Sequence, residues 1–157
     1  MNEKGWYLMI RRFGTPPEAG RVYKPRPGAY VVLLRGDDML VTLQEASETL
    51  PAPEYQLPGG GIDPGESPVV ALHREVLEET GWIMSAPRRL GAFRRFTYMP
   101  DYNKYAEKIC TIYVARPVRR LGPPSEPDHT AVWMHRDVAA LTLANWGDRH
   151  FIDRAWL

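Results

Sequence analysis

Apolar positions along the chain alternate with polar ones, or run together over short stretches, as is typical of β-strands. Bounded by turn signals rich in proline and glycine, these stretches predict strands at 29–36, 37–45, 55–57, 90–99, 108–118 and 130–135. A loop is predicted at 100–107, between the fourth and fifth strands. Residues 6–13 have the pattern of an extra edge strand.

One segment has clear helix signals at both ends. Ser67 is a good N-cap, Pro68 occupies the favoured first position, and Gly81 is the usual residue after a helix end. A closing helix is predicted over 145–157, with Asn145 as its candidate cap. The order of strands, one helix, further strands and a last helix favours an α+β fold with a mixed sheet covered by helices.

Length and composition fit a single globular domain over residues 1–157, in which 1–24 supplies the extra edge strand and a loop. Hydrophobic residues make up 44% and charged residues 25%, an ordinary balance for such a protein. The formal net charge of +1 gives no global attraction to nucleic acid or to an anionic membrane. No apolar run approaches the roughly 20 residues of a membrane span, and the apolar patch near the start is too short for a signal peptide. We therefore expect a cytoplasmic protein without an extended nucleic-acid partner.

Cysteine and histidine offer little reactive chemistry. The single cysteine, Cys110, lies in the alternating stretch KICTIYVA, which indicates a small core residue rather than a nucleophile. His73, His129, His135 and His150 show no metal-ligand spacing, and we expect them at surface or capping positions.

The predicted helix carries three glutamates close together. At about 100° per residue, Glu75, Glu78 and Glu79 share an arc of about 100°. Like charges at this spacing disfavour one another, and anions near a helix C-terminus are disfavoured further. One explanation is a solvated face, balanced in part by His73 and Arg74. The other is a divalent cation, since carboxylate oxygens suit Mg²⁺.

The glycine-rich stretch GGGIDPGES precedes this helix, and the whole segment from Gly60 to Trp82 resembles the Nudix box. That box reads Gly, five residues, Glu, seven residues, Arg-Glu, an aliphatic residue, any residue, Glu-Glu, any residue, Gly, and an aliphatic residue. The matching positions are Gly60, Glu66, Arg74, Glu75, Val76, Glu78, Glu79 and Gly81. Trp82 departs from the pattern but is apolar, so the departure concerns packing. The flanking stretches GAYVVLLR, LPGG and EPDHTAVWM extend the resemblance over about 25–145.

The resemblance implies a Nudix-type α/β/α sandwich and a metal-dependent pyrophosphohydrolase. Such an enzyme would cleave the diphosphate linkage of a nucleoside triphosphate, ADP-ribose, a dinucleoside polyphosphate or a nucleotide sugar. It also implies that the three helix glutamates act in catalysis and hold Mg²⁺ or Mn²⁺, with the Gly60 carbonyl as a backbone ligand. Arg74 and Glu66 would have structural roles beside the metal ligands, with Arg74 orienting the carboxylates through charge-assisted hydrogen bonds.

Nudix enzymes often add a carboxylate from a loop after the core strands. Glu126, in a proline-bounded loop before the last predicted strand, is our candidate for a further metal ligand. Glu107, at the start of a strand, is the alternative. Asp128 could substitute for Glu126 if the last strand begins later than predicted.

Substrate binding is expected in the aromatic and basic segment around 93–105. Arg94, Phe96 and Tyr98 are the candidates, since aromatic rings can stack on a base and arginine can meet phosphate. The alternative is structural, because half the side chains of an alternating strand face the core or a partner strand.

Three other interpretations remain open. A non-catalytic Nudix-fold nucleotide sensor usually lacks one or more of the box glutamates, and none is missing here. An isopentenyl diphosphate isomerase would need a reactive cysteine, which the strand position of Cys110 disfavours. Removal of a 5′ pyrophosphate from RNA is a substrate variant of the leading interpretation.

Val69, Val70 and Leu77 are expected to be covered by a neighbouring loop or by the closing helix, or else to form a homodimer surface.

Overall fold

The computed structural model describes residues 10–156, apart from the side chain of residue 101. The strands are β1 Lys24–Arg35, β2 Asp38–Gln44, β3 Glu54–Gln56, β4 Gly59–Gly61, β5 Trp82–Met84, β6 Arg88–Met99, β7 Lys104–Ala115, β8 Pro117–Arg120 and β9 His129–His135. The helices are α1 Pro68–Thr80, α2 Arg136–Thr142 and α3 Trp146–Ile152, with 3-10 turns at Pro100–Tyr102 and Asp153–Trp156.

The main sheet is mixed and has β1 at its centre. Its order is β3-β2-β1-β7-β6, with β4 also pairing with β1 and β9 also pairing with β2. β1 runs parallel to β7, whereas its pairings with β2 and β4 are antiparallel. β5 and β8 form a separate two-stranded sheet.

Helices cover both faces of this sheet, so the predicted α+β sandwich is confirmed. On one face, Leu72 and Val76 of α1 pack against Ala29, Val31 and Leu33 of β1. On the other face, α2 and α3 pack on alternate strand residues, among them Val32 of β1 and Phe93 of β6. The alternation of side chains along each strand thus separates two cores.

Helix α1 begins and ends where the sequence predicts. The Ser67 side chain accepts a hydrogen bond from the backbone N–H of Val70 over 3.2 Å, and Pro68 occupies the first turn. Gly81 adopts φ +76°, a left-handed conformation that glycine tolerates without strain. Asn145 caps α3, as predicted, by accepting from the Gly147 N–H over 2.8 Å.

Several element boundaries differ from the sequence prediction. β7 begins at Lys104, so the loop predicted over 100–107 is wrong for its second half. In this strand Tyr105 pairs with Tyr98 of β6, and the centroids of the two rings are 4.8 Å apart. Helix α2 was not predicted; its N-terminus is capped by His135, which accepts from the Asp137 N–H.

β1 also begins five residues earlier than predicted, and it passes through two prolines. The Pro27 carbonyl accepts from the Ile62 N–H on the β4 side. Backbone groups at the proline positions therefore face away from β7. The missing proline N–H groups cost the β1–β7 ladder nothing, because they lie on the side without a full partner strand.

Half of the predicted edge strand at 6–13, residues 6–9, lies outside the described residues. Within the described part, Arg12 makes an isolated parallel bridge to Arg94 on β6, with hydrogen bonds from Phe13 N to Arg94 O and from Arg94 N to Arg11 O. The single-domain boundary at 1–157 stays a prediction.

Three apolar residues of α1 face solvent. Val69, Val70 and Leu77 are 39%, 59% and 39% exposed, so the prediction that a loop or the closing helix covers them is wrong among residues 10–156. The homodimer surface stays a prediction. Within the same described range, no helix is long and apolar enough to cross a membrane.

Candidate active site

The glycine strand β4 lies directly beside the acidic face of α1. A Cβ atom placed on Gly60 would come within 2.7 Å of the Glu75 carboxyl carbon, closer than real side-chain contacts allow. At Gly59, whose φ is +142°, it would meet the Ala29 carbonyl. Glycine at both positions therefore lets the strand backbone approach the carboxylates.

Arg74 organises the acidic cluster from within α1. Its guanidinium donates two hydrogen bonds to Glu66, of 2.8 and 2.9 Å. It also donates to Glu75 Oε1 over 3.0 Å and to Glu78 Oε2 over 3.4 Å. The hydrogen bonds from Arg74 hold the pKa of Glu66 down at about 2, so this carboxylate stays charged. Arg74 thus contacts the carboxylates that it is expected to orient, and this role stays a prediction.

Glu79 is the buried member of the cluster. The residue is only 8% exposed, and Oε2 accepts a hydrogen bond from the Gly59 N–H over 3.1 Å. Burial raises its pKa to about 8, and the negative charges of Glu75 and Glu126 act in the same direction. Burial likewise raises the pKa of Glu75. A nearby cation would relieve both effects.

The loop before β9 brings Glu126 to the same site. The Glu78 carbonyl, near the C-terminus of α1, accepts hydrogen bonds from the N–H groups of Ser125 and Glu126 over 2.8 and 3.1 Å. The Glu126 charge also contributes to the raised pKa of Glu75 and Glu79. Glu107 lies elsewhere and pairs with Arg94. Glu126 thus lies near the helix glutamates whereas Glu107 does not, and its role as a metal ligand stays a prediction.

His129 was expected at a surface or capping position, and that prediction is wrong. Its Nε2 lies 3.8 Å from Glu79 Oε1, with 16% of the side chain exposed. Its Nδ1 is buried without a hydrogen-bond partner among the described residues. The sequence held no signal for this contact, since His129 and Glu79 come together only through the packing of β9 near α1.

The oxygen donors of the cluster are of the kind that a hard divalent cation binds. The carboxylates do not, however, converge on one point. Among residues 10–156, no three acidic, histidine or cysteine side chains are arranged close enough to hold a metal ion. The same carboxylates accept hydrogen bonds within the protein, Glu75 and Glu78 from Arg74 and Glu79 from the Gly59 N–H. Mg²⁺ takes only one or two carboxylates together with waters and substrate oxygens, so a partial set of ligands is compatible with it.

The Gly60 carbonyl, expected as a metal ligand, has a competing partner. Two backbone hydrogen bonds join β1 to the glycine strand and its neighbours, from Val31 N to Pro58 O and from Ile62 N to Pro27 O. The pair formed by Gly60 and Ala29 lies midway between these two bonds. Antiparallel pairing alternates, so Gly60 and Ala29 exchange hydrogen bonds. One lone pair of the Gly60 carbonyl remains, and its role as a ligand stays a prediction.

The predicted substrate residues are engaged with other partners. Arg94 donates to Glu107 over 3.4 Å, Phe96 packs edge-on against Tyr23, and the Tyr98 hydroxyl donates to Asn103 over 2.6 Å. No contact among the described residues joins Arg94, Phe96 or Tyr98 to the glutamates of α1. Their substrate-binding role stays a prediction.

The fold and this arrangement of carboxylates, arginine and glycines define a class of protein, and comparison with known protein families identifies the same class. The family model described as NUDIX domain matches residues 24–155. The chain belongs to the NUDIX family.

Particular relatives are similar over part of the chain. A putative 8-oxo-dGTP diphosphatase of Bacillus subtilis (strain 168) is 35% identical over 82 residues, which is 52% of this chain and 52% of the relative. An RNA pyrophosphohydrolase of Rickettsia typhi is 39% identical over 56 residues, or 36% of this chain and 34% of the relative. The chain thus spans about half and about a third of the lengths of these curated relatives.

Solved structures share the fold across most of the chain. A NUDIX hydrolase from Nitrosomonas europaea superposes with a TM-score of 0.67 at 20% identity, covering 85% of this chain and 88% of its own. A MutT NUDIX hydrolase from Burkholderia pseudomallei gives 0.63 at 21% identity, covering 83% and 97%.

Proposed function

We propose that this protein is a metal-dependent pyrophosphohydrolase that cleaves the diphosphate linkage of a nucleoside diphosphate joined to another group. The observation that carries the proposal is Glu79, a buried carboxylate surrounded by other acids. Burying one charge is costly unless it is neutralised or paired. A structural role alone would be met at lower cost by an uncharged residue.

A bound Mg²⁺ or Mn²⁺ supplies polarisation of the phosphoryl oxygen and lowers the pKa of a bound water. The candidate ligands of such ions are Glu75, Glu78, Glu79 and Glu126, together with the backbone of the glycine strand, and each ion would take one or two of these carboxylates. Arg74 keeps Glu75 oriented through a charge-assisted hydrogen bond. In the reaction, water oxygen forms a bond to phosphorus, the bridging P–O bond breaks, and the released proton goes to a carboxylate or to solvent.

A non-catalytic nucleotide sensor on the same fold is the alternative from another class. It predicts nucleotide binding without turnover. The complete set of helix glutamates and the bonds from Arg74 that orient them favour catalysis, since binding alone has no need of an ordered acidic cluster.

The range of candidate substrates is narrowed by the chemistry of the site and by the names of the relatives. Two of them are named for 8-oxo-dGTP and for RNA pyrophosphate chemistry, and both names concern the anhydride bonds of a nucleoside polyphosphate. We therefore propose a nucleoside 5′-polyphosphate as the first class to test. The cytoplasmic location expected from sequence stays a prediction.

The deciding experiment combines a substrate panel with a metal series. The protein is incubated with Mg²⁺, Mn²⁺ or excess EDTA and with 8-oxo-dGTP, ordinary nucleoside triphosphates, ADP-ribose, a dinucleoside polyphosphate, a nucleotide sugar and 5′-triphosphate RNA, and products are identified. We expect turnover of at least one substrate that vanishes with EDTA. Full activity in excess EDTA contradicts metal dependence, and binding without any turnover supports the sensor.

The variant Glu79→Gln distinguishes a catalytic role of this residue from a structural one, because turnover and melting temperature are both measured. The amide keeps an oxygen that can accept from Gly59, and unlike the carboxyl group it cannot ionise when a metal binds. We expect turnover to fall by about a hundredfold or more, equivalent to a few kcal/mol of transition-state stabilisation. The melting temperature without metal should be unchanged or higher at neutral pH. Lower stability with unchanged turnover would assign Glu79 a structural role.

A further inference from the structure

Three basic residues lie side by side across three neighbouring strands. Arg26 of β1 is in register with Lys108 of β7, and Lys108 is directly opposite Arg95 of β6. In-register residues project from the same face of a sheet, here the face away from α1. Like charges directly opposite one another are destabilising, so this basic row costs the fold stability.

Nothing within the described residues neutralises the row by direct contact. Among the carboxylates whose side chains the structure describes, which leaves out Asp101, none comes within 4.0 Å of the Arg26, Arg95 or Lys108 side-chain nitrogens. Glu54 and Asp148 line the cavity into which Arg95 and Lys108 project. These two acids leave one positive charge in excess.

The row leads from the glycine strand into a partly open cavity. At its outer end, Arg26 and Lys108 line a groove together with Gly60 and Gly61 of β4. A Cβ on Gly61 would lie 3.8 Å from Nη2 of Arg26. At its inner end, Lys108 and Arg95 line the cavity beneath α3. Lys108 thus lies between the edge of the candidate active site and the interior.

Burial makes the positive charge at the centre of the row more costly, although the negative charge of Asp148 partly offsets this cost. The pKa of Lys108 is lowered by burial first, and the neighbouring positive charges of Arg95 and Arg26 lower it further. An anion between the three cations would remove both penalties. A phosphoryl group suits the row, because arginine binds its oxygens through paired N–H donors and lysine adds a point charge.

We propose that Arg26, Lys108 and Arg95 form a binding subsite for a phosphoryl group other than the anhydride that is cleaved. The group is either part of the substrate or free inorganic phosphate. The substrate source rests on the proposed function, whereas phosphate binding does not.

The first test measures phosphate binding without activity. Inorganic phosphate is titrated into the protein in EDTA at constant ionic strength, and backbone amide shifts are followed by NMR. We expect saturable shifts centred on Lys108 and Arg95. Lys108→Met should weaken phosphate binding by about tenfold or more, as expected for losing a charge-assisted hydrogen bond. Lys104→Met, an exposed basic residue on the same strand, should leave it unchanged.

Thermal stability separates binding from a structural role. Because the row repels itself, Lys108→Met should raise the melting temperature in the absence of phosphate and abolish the further rise that phosphate produces in wild type. A lower melting temperature for Lys108→Met with no loss of phosphate binding would overturn the proposal. So would wild-type protein without saturable phosphate shifts.

A kinetic comparison then identifies the source of the phosphoryl group. If the substrate supplies it, Lys108→Met should lower kcat/KM about tenfold more for a substrate with an additional phosphoryl group than for one without. An equal effect on both, with phosphate binding lost, assigns the subsite to free phosphate. Absence of hydrolysis with every substrate would overturn the proposed function, and the phosphate titration would still decide this subsite.

Discussion

The Arg74 guanidinium binds the Glu66 carboxylate through two hydrogen bonds, of 2.8 and 2.9 Å. Glu66 also accepts from the Asp63 N–H over 3.1 Å. This pair joins the turn after β4 to the middle of α1. The same arginine reaches Glu75, so the position of the glycine strand and the orientation of a proposed metal ligand depend on one side chain.

Arg74→Lys should lower turnover while the fold persists. Lysine keeps the charge but cannot make the paired bonds to Glu66 and a further bond to Glu75. Losing a residue that orients metal ligands typically costs about 10- to 100-fold in activity or metal affinity. Turnover is measured across a Mg²⁺ series beside Arg136→Lys, whose contact to Asp37 is a long 3.8 Å. Equal turnover in both variants would contradict an orienting role.

Gly60→Ala should displace the Glu75 carboxylate. The new methyl group would lie within 2.7 Å of its carboxyl carbon, so either the side chain or the strand must move. We expect a higher Mg²⁺ requirement and lower turnover, measured by activity against metal concentration. Gly122→Ala is the matched control, because open space surrounds that position. Normal metal dependence in Gly60→Ala would show that Glu75 is not needed where it lies.

Glu126→Gln should raise the Mg²⁺ requirement or lower turnover, whereas Glu107→Gln should stay near wild type. Only Glu126 belongs to a loop held against the end of α1, and its charge acts on Glu75 and Glu79. Turnover of both variants is compared at saturating and limiting Mg²⁺. If Glu126→Gln is normal under both conditions, Glu126 lies outside the functional site.

Asp148 should make the protein less stable as pH rises. Burial raises the pKa of this carboxyl from 3.8 to about 7, with Arg95, the Leu57 N–H and Lys108 opposing it. The folded state therefore binds more protons than the unfolded state between about pH 4 and pH 7, and the free energy of unfolding falls across that window.

Asp148→Asn should flatten this dependence, as measured by urea midpoints at about pH 5 and about pH 7. The control is Asp153→Asn, which alters an exposed carboxylate and should keep the wild-type slope. An unchanged slope in Asp148→Asn would show that Asp148 does not hold its proton in the folded protein.

Local chemistry made much of the fold predictable from sequence. Ser67, Pro68 and Gly81 fix the limits of α1 through capping and a left-handed turn, which depend on neighbours within a few residues. Alternation located Cys110 in the core, where it is 3% exposed. The start of β7 was missed because it depends on Tyr105 pairing with Tyr98 across strands, a contact that no local pattern records.

The sequence alone determined the acidic helix, its glycine-rich approach and the family. Eight residues at fixed spacing encode them, and helix geometry places Glu75, Glu78 and Glu79 on one arc without reference to the rest of the chain. Tertiary structure decided how buried Glu79 is, that His129 lies beside it, and that Arg26, Lys108 and Arg95 form one row. These properties arise from strand register and from packing between segments distant in sequence, and a shift of one residue in register would turn Lys108 to the opposite face of the sheet.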